Sequence, residues 1–348
     1  MSAPKRIAID VMGGDFGPSV AVPAAIRALA TYQDLSVVLV GDEPQIKALM
    51  QQAGVSSTSR LELLHTAVSV HNDSKPESVL RNSRESSMFL AVNLVKEGRV
   101  DACVSAGNTG ALLLSGRHLL KNIPGISKPA MIASVPLRGV GSKAYILDVG
   151  ANVSNDAAEL FEFAVMGSIQ AESVDRISAP RVALLNVGHE EHKGTPTIRE
   201  TATHLAQTTS LNYIGYIEGN ELFSGKADVI VCDGFSGNIT IKTSAGVVRV
   251  IEQVLKSTAE KGLLSRLLLL LAAPLLRRLR REIDPAQFNG ASVIGLQGII
   301  VKSHGHAHAD AFYHAIAQAY REASDCVPEK IATRMASLVQ APMAQNSN

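Results

Sequence analysis

Residues 101–121 read DACVSAGNTGALLLSGRHLLK, and this stretch decides the fold. Ala102–Ser105 is a short apolar run typical of a buried strand, and Ala111–Lys121 has its apolar residues at helical spacing. The glycine-containing polar turn Ala106–Gly110 joins the two. A strand, a turn and a helix in this order form the unit of α/β proteins with parallel sheets, so we expect the rest of the chain to repeat it.

Six glycine-containing turns each follow an apolar run in this way. They are Gly13–Gly17, Ala106–Gly110, Asp148–Asn152, Asn186–Glu190, Asp233–Asn238 and Ser303–His306. Ligands of α/β sheets bind at the carboxyl ends of the strands, glycine lets the backbone approach a ligand closely, and helix N-termini favour anions. We therefore expect a single rim of glycine turns that binds a negatively charged substrate.

The same reading assigns the secondary structure. The predicted strands are Arg6–Val11, Leu35–Val40, Ala102–Ser105, Met131–Val135, Ala144–Asp148, Val182–Asn186, Tyr213–Ile217, Val229–Cys232 and Gly298–Lys302. The predicted helices are Ser19–Thr31, Gln45–Gln52, Ala111–Lys121, Ala157–Glu172, Thr197–Thr208, a long helix from about Thr240, and Ala309–Arg321. Strands that alternate with helices indicate a largely parallel sheet covered on both faces.

The chain is expected to form one α/β domain over residues 1–330, which includes a helical arm at about 250–285. Residues 331–348 form a predicted C-terminal tail, which we expect to be disordered from about Ala341 because the sequence there turns to APMAQNSN. A chain of 348 residues is long for one core, so two fused α/β halves are also possible.

The composition is that of a folded globular protein, with 46% hydrophobic and 19% charged residues. A formal net charge of +1 and the absence of Trp argue against a nucleic-acid-binding protein. Cys103 and Cys232 lie in apolar runs and are expected to be buried in a reducing cytosol. We see neither a signal peptide nor an apolar stretch of about 18 residues, and we therefore expect a cytoplasmic protein.

One segment, residues 262–281, differs from an ordinary α/β unit. Leu267–Leu276 is apolar and contains the helix-breaking Pro274, and four arginines follow in Arg277–Arg281. We interpret the segment as a helical hairpin whose apolar tip and basic flank dock peripherally on an anionic membrane. The residues expected at the membrane are Leu264, Leu267, Leu268, Leu271, Arg277 and Arg278. A core helix pair, a dimer contact and a carrier-protein contact are the alternatives.

The sequence contains no complete motif for a nucleotide-binding site or for a binuclear metal site. Gly13–Gly17 does not have the spacing G-x-G-x-x-G, and no P-loop motif occurs in the chain. His304–Asp310 is close to part of a binuclear metallohydrolase motif, but Ala311 stands where the last His belongs. We therefore expect no metal and no other cofactor.

The turn after Ser105 is a better candidate for a binding site. A hydroxyl at a strand end, two glycines around Asn108 and Thr109, and a following helix can form a cradle for phosphate or an oxyanion. The alternative is a purely structural strand–helix turn. Lys193 supplies a cation after another strand, and Ser236–Asn238 supplies neutral donors after a third. Together such groups can bind phosphate and polarise a carbonyl without a metal.

Five motifs occur in a characteristic order. They are IAIDVMGGD (7–15), DACVSAGNTGAL (101–112), LDVGANV (147–153), LNVG (185–188) with EHKG (191–194), and DGFSGN (233–238). Over about residues 5–325 the chain resembles the bacterial phosphate acyltransferases of phospholipid synthesis, the PlsX family. Thr195-Pro196 and the enriched His306–His308 depart from the family pattern and concern local loop geometry.

The resemblance implies a reaction in which inorganic phosphate attacks the thioester of long-chain acyl–acyl carrier protein. The product, acyl phosphate, then serves a membrane glycerol-3-phosphate acyltransferase. The resemblance also implies a homodimer with a three-layer α/β/α sandwich, similar to phosphotransacetylases and isocitrate dehydrogenases. Lys193 and Asn238 match the family's suspected catalytic positions. The residues expected to bind phosphate or substrate are Asp10, Gly13, Gly14, Ser105, Gly107, Asn108, Thr109, Asn152, Asp233 and Ser236.

Other functions remain compatible with the sequence. A decarboxylating dehydrogenase or a short-chain phosphotransacylase could use the same fold, and reduction of a nicotinamide would reveal the first of these. A lipid-binding or membrane-scaffold protein could use the arm alone, but that function leaves the glycine turns without a role.

Overall fold

The computed structural model describes residues 4–55, 59–71, 73–137, 142–260, 262, 272–275 and 285–340. Its strands are β1 (Lys5–Asp10), β2 (Leu35–Gly41), β3 (Leu61–His65), β4 (Ala102–Ser105), β5 (Ala130–Pro136), β6 (Lys143–Leu147), β7 (Arg181–Leu185), β8 (Asn212–Ile217), β9 (Val229–Val231), β10 (Ala291–Ile294) and β11 (Ile299–Lys302). Its helices are α1 (Pro18–Thr31), α2 (Glu43–Gln52), α3 (Pro76–Asn82), α4 (Ser87–Lys96), α5 (Thr109–Leu119), α6 (Ala157–Val174), α7 (Pro196–Ala206), α8 (Gly234–Glu260), α9 (Ala309–Ser324) and α10 (Val327–Gln340).

The described strands form one 11-stranded sheet in the order β3-β2-β1-β4-β11-β10-β5-β6-β9-β7-β8. Most neighbours in the sheet are parallel, as predicted. The exceptions lie at its centre, where β10 is antiparallel to both β11 and β5, and β5 is antiparallel to β6. The sheet therefore has two outer parts, each parallel within itself, joined by a mixed centre.

The antiparallel pairings reverse the direction of the strands across the centre of the sheet. The strands β6, β9 and β7 run in the opposite sense to β1, β4 and β11. The carboxyl ends of β1, β4 and β11 define the first edge of the sheet, and those of β6, β9 and β7 define the second edge. The prediction of a single rim is therefore wrong, because three of the six glycine turns lie at each edge. Hydrophobic periodicity identifies strands but carries no information about their direction.

Alternating strand residues pack into cores on opposite faces of the sheet. In β1, Ile7 and Ile9 join a core with α1 and α9, whereas Ala8 packs with α4 and α5. In β6, Leu147 joins a core with α6, α7 and α10, whereas Ile146 belongs to the core on the other face, beside α8. Helices thus cover both faces of both parts, which confirms the expected α/β/α sandwich.

Several elements correct the sequence assignment. The strands β3 and β10 were not predicted, although Asn289-Gly290 and Gly295 flank β10 as turn signals. Helix α8 begins at Gly234 rather than near Thr240. Helix α10 packs into the core through Ile331 and Met335, so the predicted boundary at residue 330 falls inside a packed helix. The tail from Ala341 lies outside the described residues.

Most of the predicted arm also lies outside the described residues. This includes all of the membrane-contact residues, which are Leu264, Leu267, Leu268, Leu271, Arg277 and Arg278. The described beginning of the arm is the end of α8, up to Glu260. Among the described helices, none combines the length and the hydropathy needed to cross a membrane.

Candidate active site

The first edge is organised around the carboxylate of Asp10, the last residue of β1. The hydroxyls of Ser87 and Ser105 donate hydrogen bonds of 2.6 Å to its two oxygens. Burial raises the pKa of Asp10, and hydrogen bonds from these hydroxyls and from the backbone of Met12 and Gly13 oppose the rise. Because both oxygens accept hydrogen bonds inside the protein, this carboxylate holds the surrounding turns together.

Glycines allow the turns after β1 and β4 to pack tightly at this edge. A Cβ atom on Gly13 would lie 2.5 Å from Asp10 Oδ2, and one on Gly107 would lie 2.4 Å from Met88 Cε. Gly14 has a φ of 84°, in the left-handed region that favours glycine. Gly13 and Gly14 are therefore favoured by the packing and the backbone of the turns independently of any ligand, whereas the close atom at Gly107 is the flexible end of Met88.

A buried cation, Lys302, lies beneath the same turns. Its ammonium donates a hydrogen bond of 3.2 Å to the carbonyl of Ala106 and another to the carbonyl of Ser303. Burial lowers the pKa of Lys302 to about 8, and the carboxylates of Asp10 and Asp15 oppose the shift. Lys302 thus links the ends of β4 and β11 and offsets negative charge at the first edge.

Asn108 and Thr109 begin helix α5 at this edge. Asn108 Oδ1 accepts a hydrogen bond of 2.9 Å from the N–H of Ala111, and its Nδ2 donates one of 3.2 Å to the carbonyl of Ser74. Asn108 is therefore the N-cap of α5. Thr109 is exposed at the first position of the helix, where a ligand could reach it.

The second edge has a buried carboxylate of its own, Asp148, which follows β6. Its oxygens accept hydrogen bonds of 2.7–3.1 Å from the N–H groups of Met131, Gly150, Ala151 and Asn152. The side chain of Asn152 adds one of 2.9 Å. Burial raises the pKa of Asp148, and these hydrogen bonds oppose the rise. Asp148 therefore shapes the turn after β6 as Asp10 shapes the turns of the first edge.

Helix α8 begins so close to this turn that only glycine fits at two positions. A Cβ atom on Gly234 would lie 2.0 Å from the carbonyl oxygen of Asn152. A Cβ atom on Gly237 would lie 1.9 Å from the carbonyl oxygen of Asp148. Real Cβ atoms do not approach backbone oxygens this closely, so these glycines fix the contact between α8 and the turn.

Asp233 and Ser236 cap the start of α8. The carboxylate of Asp233 accepts hydrogen bonds from the N–H of Ser236 at 2.8 Å and from its hydroxyl at 2.9 Å. The stretch predicted as a turn is therefore the N-cap and first turn of a helix. Asn238 follows directly, and an added Cβ on Gly150 would lie 3.4 Å from its side-chain amide. The amide of Asn238 thus lies beside a helix N-terminus, which favours anions.

Lys193 lies after β7, at the same edge of the sheet as Asn238. Strand β7 pairs with β9, which leads into α8. Its ammonium is 2.9 Å from Glu190 Oε1, and its side chain is 41% exposed. The hydrogen bond to Glu190 raises the pKa of Lys193, so the side chain is a cation at neutral pH. Asn186 Nδ2 donates to the carbonyl of Lys193 at 3.3 Å, which anchors the backbone while the ammonium remains accessible.

The predicted site residues thus fall into two groups. The first-edge group comprises Asp10, Gly13, Gly14, Ser105, Gly107, Asn108 and Thr109. The second-edge group comprises Asn152, Asp233, Ser236 and Asn238, with Lys193 on the adjacent strand. Five strand steps separate β1 from β6, and at about 4.8 Å a step this amounts to on the order of 24 Å. The sheet therefore places the two groups at opposite edges and several strands apart.

The histidine-rich turn after β11 packs against the turn after β1. The N–H of Asp15 donates to the carbonyl of Gly305 at 3.0 Å, and the Nδ1 atom of His306 lies against the Asp15 carboxylate. His308 stacks on Phe16 with ring centroids 5.1 Å apart. No cluster of three or more potential metal ligands occurs within the described part of the chain. Metal independence remains a prediction.

Two surface clefts lie away from these groups. One of about 870 Å³ is lined by residues of α2 and β3. Another of about 750 Å³ lies beside the end of α6 and Arg334. Neither cleft is lined by a predicted site residue. The candidate site is therefore identified by the chemistry of its side chains and not by the volume of a cleft.

Three residues that organise the two edges were missed by sequence reasoning. Asp148 is the first residue of a glycine turn and Lys302 is the last residue of β11, directly before another, so their positions at strand ends could have identified them. Ser87 reaches Asp10 across 77 residues of sequence, and no local pattern indicates such a contact.

Comparison with known proteins identifies relatives over nearly the whole chain. The family model described as "Fatty acid synthesis protein" matches residues 5–330. A phosphate acyltransferase of Shewanella amazonensis is 48% identical over 333 residues, which cover 96% of this chain and 97% of that protein. A phosphate acyltransferase of Moritella marina is 48% identical over 329 residues, which cover 94% and 97%.

Among solved structures, a phosphotransacetylase from Streptococcus pyogenes matches with a TM-score of 0.60 and 17% identity. The match covers 92% of this chain and 94% of that one. At this identity the likeness shows the fold alone, and it agrees with the sandwich described above.

Proposed function

Because the chain belongs to the fatty acid synthesis protein family and therefore transfers acyl groups to phosphate for phospholipid synthesis, we propose that its donor is a long-chain acyl thioester of acyl carrier protein. The second edge of the sheet supports the transfer of an acyl group from a thioester to phosphate, and the carrier protein as donor is what the family resemblance implies. At this edge the amide of Asn238 lies beside the N-terminus of α8, next to the strand that leads to the accessible cation Lys193. The ammonium and the amide are hydrogen-bond donors that can stabilise an anionic nucleophile and an oxyanion.

The reaction needs little acid–base assistance. Phosphate is partly a dianion at neutral pH, and one of its oxygens attacks the thioester carbonyl carbon. The carbonyl oxygen becomes an oxyanion, and its collapse breaks the C–S bond. The proton of the hydrogen phosphate passes to the departing thiolate, so the products are acyl phosphate and the free thiol of the carrier. The protein must position the reactants and stabilise the oxyanion.

Lys193 and Asn238 have different roles in this proposal. The ammonium of Lys193 exchanges its ion pair with Glu190 for the incoming phosphate, whose charge it offsets. The neutral amide of Asn238 donates a hydrogen bond to the oxyanion, together with the N–H groups at the start of α8. The buried carboxylate of Asp148 fixes the turn on which Asn238 rests, and it therefore acts as a positioning residue.

The function is tested by incubating the protein with palmitoyl–acyl carrier protein and inorganic phosphate. Acyl phosphate is trapped as a hydroxamate, and the carrier thiol is titrated in parallel. We expect equal amounts of the two products and a strict requirement for phosphate. Turnover of palmitoyl–coenzyme A but not of the carrier thioester would contradict the proposed donor. Reduction of a nicotinamide without acyl transfer would favour a dehydrogenase instead.

We also propose that the enzyme works as a homodimer in the cytoplasm and delivers acyl phosphate to a membrane glycerol-3-phosphate acyltransferase. Acyl phosphate is reactive and carries a long apolar chain, so release close to the bilayer would shorten its path through water. Peripheral attachment of the arm to an anionic membrane would meet this need.

The arm gives a prediction about membrane binding. Replacing Leu268 and Leu271 with Glu is expected to release the protein from anionic vesicles, because the leucines are proposed to insert and nearby arginines each add roughly 1 kcal/mol at an acidic surface. Vesicle flotation measures the effect. Turnover of soluble acyl–acyl carrier protein should be unchanged.

The control for this experiment carries the same charge elsewhere. Gln51→Glu with Gln52→Glu adds two carboxylates on exposed positions of α2, and this variant should float like the wild type. Equal flotation of the wild type and the Leu268→Glu/Leu271→Glu variant would assign the arm to dimer or carrier contact.

A second prediction concerns metals. Acyl phosphate formation is expected to persist after treatment with EDTA, because the proposed electrophilic groups are an ammonium, an amide and backbone N–H groups. The initial rate before and after chelation measures this. Loss of activity that zinc or manganese restores would assign a catalytic role to the turn His304–Asp310.

A further inference from the structure

The segments that follow β6, β9 and β7 at the second edge each expose one large apolar side chain. Val153 after β6 is 79% exposed, Val187 after β7 is 77% exposed, and Phe235 at the start of α8 is 60% exposed. Single apolar residues are common on protein surfaces, whereas a group of them marks a place where a partner or ligand binds. The polar chemistry proposed for this edge uses none of the three side chains.

The three residues form a row along the edge. The strands β6, β9 and β7 are consecutive neighbours in the sheet. At about 4.8 Å a strand, Val153, Phe235 and Val187 follow one another over on the order of 10 Å, with Phe235 in the middle. A backbone contact connects the first two, because a Cβ atom on Gly234 would lie 2.0 Å from the carbonyl oxygen of Asn152. We call these three residues the apolar row.

The apolar row adjoins both of the proposed catalytic groups. At one end, Gly188 directly follows Val187, and an added Cβ there would lie 3.1 Å from Nζ of Lys193. At the other end, an added Cβ on Gly150 would lie 3.4 Å from the side-chain amide of Asn238. Apolar side chains beside a few polar groups are the usual lining of a small-molecule site.

The first edge has no comparable row. Within its three glycine turns, all of which lie in the described part of the chain, Phe16 is the large apolar residue with an exposed side chain. Its ring stacks on that of His308, with centroids 5.1 Å apart. A row of exposed apolar residues beside a cation and an amide is therefore a feature of the second edge.

We propose that the apolar row binds the acyl chain of the donor where the chain leaves the reacting carbonyl. The inference rests on the proposed function, which places the carbonyl at Asn238 and phosphate at Lys193. The methylene groups next to that carbonyl then lie within a few bonds of both residues. An alkyl chain has neither charge nor hydrogen-bonding groups, so apolar side chains are the surface against which it gains by leaving water.

The row therefore selects the length of the acyl group. A chain of several methylene groups can extend over Val153, Phe235 and Val187, whereas an acetyl group covers little of the row. The substrate covers these residues during turnover, which explains why a folded chain leaves them in water.

Two unreactive analogues of the product test the proposal. Octyl phosphate and ethyl phosphate have the same head group and differ in the chain, and calorimetry measures their binding to the full chain. We expect the wild type to bind octyl phosphate about 10-fold more tightly or better, since each buried methylene adds to affinity. Val153→Thr with Val187→Thr should reduce this preference to about 2–3-fold and leave the binding of ethyl phosphate unchanged.

Val68→Thr is the matched control. It makes the same chemical change at an exposed valine after β3, at the first edge, and it should keep the wild-type preference. Turnover gives a second readout. For the double variant, kcat/KM with palmitoyl–acyl carrier protein should fall about 10-fold relative to kcat/KM with butyryl–acyl carrier protein. A merely structural role for the valines would lower both values equally.

Three results would overturn the proposal. The first is a wild type that binds octyl phosphate no more tightly than ethyl phosphate. The second is a double variant that keeps the full preference or loses affinity for both phosphates equally. The third is a double variant with a changed oligomeric state in size-exclusion chromatography, which would assign the row to a contact between copies. A wild type that prefers octyl phosphate as expected, but forms no acyl phosphate from carrier thioesters, would support the role of the row and refute the proposed donor.

Discussion

Lys193→Ala is expected to lower the rate of acyl phosphate formation by roughly 10²-fold or more. The reason is that the substitution removes the accessible cation of the second edge, which is proposed to offset the charge of phosphate. The Lys193 side chain is 41% exposed and its ion pair with Glu190 lies on the surface, so its loss should change the free energy of unfolding little. Initial rates at varied phosphate concentration measure the effect, and thermal unfolding checks the fold.

The kinetic pattern distinguishes two roles for this lysine. If the ammonium binds phosphate equally in the ground state and the transition state, the KM for phosphate rises and kcat is kept. If it stabilises mainly the transition state, kcat falls. Lys193→Arg retains the charge and should recover part of the rate, although the guanidinium has a different shape.

A matched control for Lys193 is available on α2. Lys47 forms a comparable surface ion pair with Glu43, 2.6 Å apart, and Lys47→Ala should leave the rate unchanged. Asn238→Ala is expected to act like Lys193→Ala. Asn93→Ala on α4 is its control, since the amide of Asn93 donates to Glu97, away from both edges. A folded Lys193→Ala/Asn238→Ala variant with wild-type turnover would refute both assignments.

Local patterns were sufficient to predict the units of this fold but not their arrangement. The unit Ala102–Leu119 follows its sequence closely, because a buried strand, a glycine turn and an amphipathic helix each have local signatures. The reversal of direction at β5, β6 and β10 has no such signature. It depends on which strands pair, and pairing is a property of the whole sheet. The single rim of turns was therefore predicted wrongly even though all six turns were recognised.

The start of α8 shows a second limit of local reasoning. Gly234 and Gly237 disfavour a helix by intrinsic propensity, and the sequence therefore suggested a turn as far as Asn238. In the structure these residues are helical because the turn after β6 lies against them and leaves no room for a Cβ atom. Close packing between distant segments overrides the local preference, and it also brings Asn238 to the second edge.

Gly237→Ala is expected to destabilise the protein by about 3 kcal/mol or more, above the usual cost of overpacking. The added Cβ would lie 1.9 Å from the carbonyl oxygen of Asp148 and 2.9 Å from Cys232 Sγ. The first of these atoms belongs to the backbone of a turn fixed by hydrogen bonds to the Asp148 carboxylate, so it cannot yield as a flexible side chain would. Chemical denaturation measures the change. Because Asn238 is the next residue, turnover should also fall in whatever fraction folds.

Gly246→Ala is the matched control, because Gly246 lies on the same helix and an added Cβ would meet no atom within 4 Å. There alanine should stabilise the helix by about 0.5–1 kcal/mol. Gly219→Ala, which also meets no atom within 4 Å, is a second control outside α8. We expect alanine to lower the free energy of unfolding at Gly237 and to raise it at Gly246, and this difference separates the effect of packing from that of helix propensity. If both substitutions stabilise the protein, the start of α8 is not packed tightly against the turn after β6. The position of Asn238 at the second edge then loses its support.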